Sequence, residues 1–266
     1  MKKDIWLTAE GERRAVSLTD KVPVKLVSRD GTASFNDYSV LKEHTLVIKV
    51  NGGIVFRILC TDLYLRELVY GRLYTEGITD EDTGRLQLMF EKKSDEESDA
   101  LITGGLLKTE NSGGDGYPFN DVIKKRISDR IPNRPVDLKD VFSLADEFGR
   151  GTVLNTVTKG THSAFLMYDH NIVFSCEDIG RHNCVDKAVG YALLNDIPLD
   201  ECILYSSGRV PSDMAEKVIA AGIPILVSKA VPTDRAIKLA QKYRLTLICR
   251  AWSDSCTVFY NTGTDE

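Results

Sequence analysis

The 266-residue chain contains no Cys-x-x-Cys pair; its six cysteines are scattered at positions 60, 176, 184, 202, 249 and 256. With only four histidines, none of them at a usual ligand spacing, that excludes the common structural zinc sites, and no metal is expected. The zinc deaminase pattern, His-x-Glu followed by Pro-Cys-x-x-Cys, is also missing. No apolar stretch approaches the length of a membrane span, so no membrane association is expected. The opening residues Met-Lys-Lys-Asp-Ile-Trp lack an apolar core segment, so no secretory signal is read there. Reduced thiols in a cytoplasmic protein are therefore expected. An excess of positive charge is lacking too. The net charge is −5 and the pI about 5.5, which argues against a nucleic-acid surface while leaving room for a local basic pocket.

What is present is ordinary globular material, 42% hydrophobic and 27% charged, long enough for one large or two moderate domains. Strands are expected over 22–27, 38–41, 45–50 and 54–59, with Asn51-Gly52 turning the last two into a hairpin. Leu65, Leu68, Val69 and Leu73 make one helical face, with Thr61 or Asp62 as its cap. Residues 91–99 read as a solvated run of mixed charge. Residues 103–116 hold five glycines and read either as a functional loop or as an interdomain connection. Helices follow at 119–130 and 137–148. From Thr152 onward, 153–157 and 164–168 are β-rich, and then strands and helices alternate. Helices are expected over 185–195, 212–221 and 233–243, with strands at 203–206, 225–228, 245–249 and 257–260. This is an α/β pattern with parallel strand pairs covered by helices.

The densest chemistry lies between Cys176 and Lys187, Cys-Glu-Asp-Ile-Gly-Arg-His-Asn-Cys-Val-Asp-Lys. Glu177, Asp178, Arg181, His182 and Asn183 crowd one strand-to-helix turn. Buried together, they must satisfy each other or a ligand. Ser207-Gly208-Arg209 and Lys229 follow two successive strands. If those strands are parallel neighbours, both loops open on one edge and can hold an anion. Each loop taken alone also reads as a capped helix start. His162 gains weight only if it meets the Glu177–Asn183 turn. Arg250 and Trp252 can clamp a planar ring by stacking and cation–π contact, or simply flank a hairpin.

Taken together, these pieces resemble the formate dehydrogenase accessory proteins of FdhD/NarQ type. The similarity is carried by Gly160-Thr161-His162-Ser163-Ala164, Glu177 to Asn183 with Val185-Asp186-Lys187, Ser207-Gly208-Arg209, Ala221 to Pro224 and Pro232-Thr233. Asp62 to Ile78 adds to it. The resemblance implies a cytidine deaminase-like three-layer domain without a zinc site over 117–266. A smaller β-rich α+β domain over 1–116 would end in the glycine-rich loop. It also implies a homodimer that binds the molybdopterin guanine dinucleotide cofactor, with GDP as a mimic. Sulfur would pass from a cysteine desulfurase to that cofactor before it enters the formate dehydrogenase catalytic subunit. Carried over by motif, the binding residues are Ile248, Cys249, Arg250, Ala251, Trp252 and Ser253, with Ser207, Gly208 and Arg209 nearby and His162 and the Glu177–Asn183 turn beside them.

The chain departs from that family at one place. The family relays sulfur through cysteines of the glycine-rich loop, and the matching residues 103–114 contain none. A persulfide needs a thiolate, which Thr109 and Ser112 cannot supply. Two readings stay open: a substitute thiol at Cys176 or Cys184, activated by Arg181 and His182, or a chaperone that binds the cofactor without transferring sulfur.

Overall fold

The computed structural model describes residues 18–79, 86–104, 134–262 and positions 123, 124 and 127. Two nine-residue strands, β1 (Thr19–Val27) and β2 (Ala33–Leu41), pair antiparallel as a separate ribbon. Strands β3 (His44–Val50) and β4 (Gly53–Cys60) form the expected hairpin. Asn51 and Gly52 both take positive φ, 49° and 86°, as a tight two-residue hairpin turn demands. Helix α1 (Leu65–Thr75) follows, then β5 (Gln87–Lys92) and β6 (Glu97–Thr103). The sheet order is β4-β3-β6-β5. Leu46, Ile48 and Val50 point to α1 and pack against Leu68, Val69 and Leu73.

The larger layer is built around a six-stranded sheet. Its order is β12 (Thr257–Tyr260), β11 (Thr246–Cys249), β10 (Ile225–Ser228), β9 (Ile203–Ser206), β7 (His162–Tyr168) and β8 (Asn171–Asp178). Asp169 and His170 turn β7 directly into β8, so that pair is antiparallel. β9, β10 and β11 are joined through helices α5 (Ser212–Ala221) and α6 (Asp234–Tyr243). Such crossovers return the chain in the same direction, and these three strands are parallel.

Alternate residues of each strand serve opposite faces. Leu166, Leu204, Leu226 and Leu247 pack under α4 (Arg181–Leu194), α5 and α6. Phe165, Tyr205, Val227 and Ile248 pack instead against Val141, Leu144 and Ala145 of α2 (Leu138–Gly149). Asp137 caps α2 by accepting from the Lys139 amide at 2.9 Å. Helix α1 also lies along α4 in a close backbone crossing, which ties the two sheets together.

Three sequence expectations are corrected. Residues 153–157 form a short helix, α3 (Val153–Thr158), not a strand. Its first amides are held by a carboxylate from a distant strand, a contact that outweighs β-propensity. The run over 91–99 is solvated only as far as residue 96; it spans the β5–β6 hairpin, and at its end Ser98 and Asp99 are buried, with Asp99 accepting from Lys49 Nζ at 2.6 Å. Neither Thr61 nor Asp62 caps α1: the cap position is Tyr64, left-handed at φ 53° and without a side-chain cap bond. The glycine-rich stretch beyond Gly104, the boundary between 1–116 and 117–266, and most of the helix expected over 119–130 lie outside the described residues.

Candidate functional site

Parallel strands β9, β10 and β11 end on one edge of the sheet, and their following loops meet there. Because β7 runs opposite to β9, its first residue, His162, sits on the same edge. The last residue of β8, Asp178, stands directly across from His162 in register. His162 therefore meets the Glu177–Asn183 turn, the condition under which it gains weight as a site residue.

Backbone bonds stitch the loops together. The Lys229 amide donates to Ser206 O at 3.2 Å, and the Ala251 amide to Ser228 O at 3.1 Å. Ser228 Oγ donates to Gly208 O at 2.7 Å. Val210 and Pro232 form a parallel bridge, so the Arg209 and Lys229 loops run side by side. The Ser163 amide donates to Ser207 Oγ at 2.9 Å, and that oxygen lies 3.4 Å from His162 Nδ1. Burial, followed by the nearby Arg181 charge, lowers the His162 pKa and favours the neutral ring.

The dense turn divides into two jobs. Glu177 and Asp178 face inward and are saturated. Glu177 accepts from Thr152 Oγ1 (2.6 Å), the Leu154 amide (2.9 Å), the Asn155 amide (2.7 Å) and Thr161 Oγ1 (2.9 Å), so it caps α3. Asp178 accepts from Lys187 Nζ at 2.5 Å, Thr61 N and Oγ1 at 3.1 Å, the Gly180 amide at 2.8 Å and Asn183 Nδ2 at 2.7 Å. Both Asp178 and Lys187 are fully buried. Burial is the largest single influence and opposes the charge on Lys187, but the charge and hydrogen bond of Asp178, with smaller contributions from Cys176 and Cys60, together raise the ammonium pKa.

Arg181 and His182 are half-buried instead. Gly208 packs on the Arg181 stem: a Cβ there would fall 3.1 Å from Arg181 Cβ and Cδ. Among the described residues the Arg181 Nε has no hydrogen-bond partner, and Arg181 Nη2 lies 3.9 Å from the Asp213 carboxylate. His182 Nε2 lies 3.0 Å from the same Asp213 carboxylate, but out of line, so it too lacks a hydrogen bond. Burial lowers the His182 pKa despite that carboxylate.

On the far side of the edge, Arg209 and Arg250 are exposed, and the Trp252 ring is 46% exposed. The Lys229 ammonium sits 5.0 Å from the Trp252 ring centre and 5.1 Å from that of Phe148. Ile248, Cys249 and Ala251 are buried beneath this surface, while Ser253 lies at the rim. The edge therefore presents four cations (Arg181, Arg209, Lys229 and Arg250) and one open aromatic face. That chemistry suits an anionic ligand carrying a planar ring.

Both candidate thiols are packed inward. Cys176 and Cys184 are 1% and 0% exposed, and Cys176 Sγ donates to Cys184 O at 3.4 Å. Burial, followed by the neighbouring Cys176, raises the Cys184 pKa well above the usual thiol value. Burial likewise pushes Cys249 up to about 12.

Sequence reasoning missed Thr61, Asp213 and Phe148. Asp213 in the first turn of α5 left a faint signal as an acid beside a helix start. The sequence marks Thr61 only as a cap of α1 and Phe148 not at all, because both reach the edge from other layers.

With this geometry in place, comparison with known proteins is informative. Residues 41–264 match the FdhD/NarQ family. The Protein FdhD of Methanocaldococcus jannaschii is 31% identical over 86% of this chain and 90% of its own. The Sulfur carrier protein FdhD of Bacillus pumilus is 30% identical over 87% and 92%. A crystal structure from Desulfotalea psychrophila, described as a candidate formate dehydrogenase accessory protein, shares the fold with a TM-score of 0.73. It covers 91% of this chain and 96% of that one at 20% identity. A matched region that runs from Leu41 to the last described strand and takes in the whole cationic edge shows that the chain belongs to the FdhD/NarQ family.

Proposed function

We propose that this protein supports formate dehydrogenase maturation by binding the molybdopterin guanine dinucleotide cofactor as cargo at the cationic edge. The observation that carries this reading is the convergence of Ser207, Gly208, Arg209, Lys229, Arg250 and Trp252 on one sheet edge. Guanidinium groups suit the diphosphate, and the open Trp252 face suits the base. GDP should serve as a mimic. We read residues 117–266 as a cytidine deaminase-like three-layer domain, supported by a mixed sheet held between α2 on one face and α4 to α6 on the other. The β-rich part would form its own unit over 1–116. A cytoplasmic homodimer is the accompanying expectation, and no helix among the described residues is long and apolar enough to cross a membrane.

The name of the Bacillus relative points to sulfur carriage. In this chain that step would take the outer sulfur of a cysteine desulfurase persulfide onto a thiolate and free the desulfurase thiolate. One observation favours the alternative, a chaperone that binds and delivers the cofactor without the relay. Five of the six thiols, Cys176 and Cys184 included, are buried, and Cys256 alone is partly open. Incubation with an active cysteine desulfurase and free cysteine, followed by peptide mass spectrometry, separates the two. A persulfide mapped to Cys176, Cys184 or another thiol supports carriage through a relocated thiol; no persulfide supports the chaperone. Isothermal calorimetry tests the cargo site itself. GDP should bind, and Arg209→Ala should weaken it by about tenfold, the effect of one lost charged contact. Unchanged affinity would move the site elsewhere.

A further inference from the structure

The Lys229 ammonium lies between two rings, with Phe148 on one side and the half-exposed Trp252 on the other. Phe148 comes from the end of α2, Lys229 from the loop after β10 and Trp252 from the loop after β11. Three separate elements therefore fix the position of one cation. The loops that carry it are held by the Lys229 amide on Ser206 O, the Arg250 amide on Ala230 O at 2.9 Å and the Ala251 amide on Ser228 O. The Phe148 ring is in turn wedged against Tyr205, 5.5 Å between centres, whose hydroxyl donates to Ala251 O at 3.1 Å. Among the described residues Lys229 has no carboxylate partner, so its three N–H donors remain available beside the Trp252 ring.

We infer that Lys229 is the residue that selects the base of the bound nucleotide, reading guanine in preference to adenine. A base stacked on Trp252 brings its edge to the ammonium. Guanine presents two acceptors there, O6 and N7. Adenine presents N7 beside an amino group, which is a donor and meets an ammonium unfavourably. Trp252 supplies affinity without choice, because every base has a π-face. Lys229 supplies the choice, and its two ring contacts hold it in place in advance, which lowers the ordering cost of binding.

This inference rests on the nucleotide site proposed above, and calorimetry with GDP, IDP and ADP separates the two ideas. Inosine keeps O6 and N7, so the unaltered protein should bind GDP and IDP alike and ADP about tenfold more weakly. Lys229→Met keeps the apolar stem between the rings and removes the donors. It should weaken GDP and IDP about tenfold, leave ADP within about twofold and so abolish the preference. Trp252→Ala should weaken all three together. A Lys229→Met protein that still prefers GDP overturns the role of Lys229 while leaving the site intact. If the unaltered protein binds none of the three, both the site and the inference fail. Lys229→Leu, which likewise carries no hydrogen-bonding group, provides the same readout should the methionine variant not fold.

Discussion

Gly71 of α1 and Gly190 of α4 mark a crossing at which the two helix backbones touch. A Cβ on Gly71 would fall 1.8 Å from the Asp186 carbonyl oxygen, and one on Gly190 would fall 1.9 Å from that of Glu67. Backbone cannot move aside as a side-chain tip can. Alanine at either position gains up to about 1 kcal/mol in helix propensity. The clash should outweigh that gain, since overpacking alone costs about 1–3 kcal/mol even where side chains can yield. Gly71→Ala and Gly190→Ala are therefore each expected to destabilise the fold by at least about 2 kcal/mol. Urea denaturation checks this; a gain in stability at either site would mean the helices cross elsewhere.

The buried Asp178–Lys187 pair predicts an asymmetry. Without Lys187, Asp178 keeps the Thr61, Gly180 and Asn183 donors. Without Asp178, Lys187 keeps only Thr61 oxygens, at 2.9 and 3.4 Å. Asp178→Ala should cost about 3–5 kcal/mol, in the range for an uncompensated buried charge. Lys187→Met should cost clearly less. Equal losses in chemical denaturation would show that the other donors to Asp178 contribute little.

Burial lowers the pKa of both His162 and His182. A histidine depressed in the folded state binds fewer protons than it does unfolded. Its contribution to stability is present above the unfolded value near 6.5 and is lost as pH falls through the lower folded value. The protein should therefore lose stability between pH 7.5 and pH 5. His162→Gln with His182→Gln should flatten that part of the profile. A pH profile identical to that of the unaltered protein would assign the acid sensitivity to other groups.

Thiol accessibility yields a count. Cys60, Cys176, Cys184, Cys202 and Cys249 are buried, and burial raises Cys60, Cys202 and Cys249 to about 12. Partly open Cys256 should react with a thiol reagent such as DTNB in the native protein, and the other five only on unfolding. Rapid native labelling of Cys176 or Cys184 would reveal an opening of the β8–α4 turn and would revive a relocated sulfur relay.

Local patterns made much of this protein legible. Strands 203–206, 225–228 and 257–260 and helix 212–221 fall where apolar periodicity puts them, because each is a regular segment bounded by turn residues. The strand–helix alternation made parallel β9, β10 and β11 predictable, and with them the shared edge for Arg209 and Lys229. The Glu177–Asn183 turn was visible as a cluster of charge. What the sequence did not contain was the direction each of those side chains faces. Tertiary structure turned Glu177 to cap α3, overriding the β-propensity of 153–157, and gave Asp178 to Thr61 and Lys187. It also brought Phe148 to Lys229 and sealed Cys184 in the core. Each of these outcomes joins residues from separate elements, and no local periodicity encodes which distant partner satisfies a buried polar group.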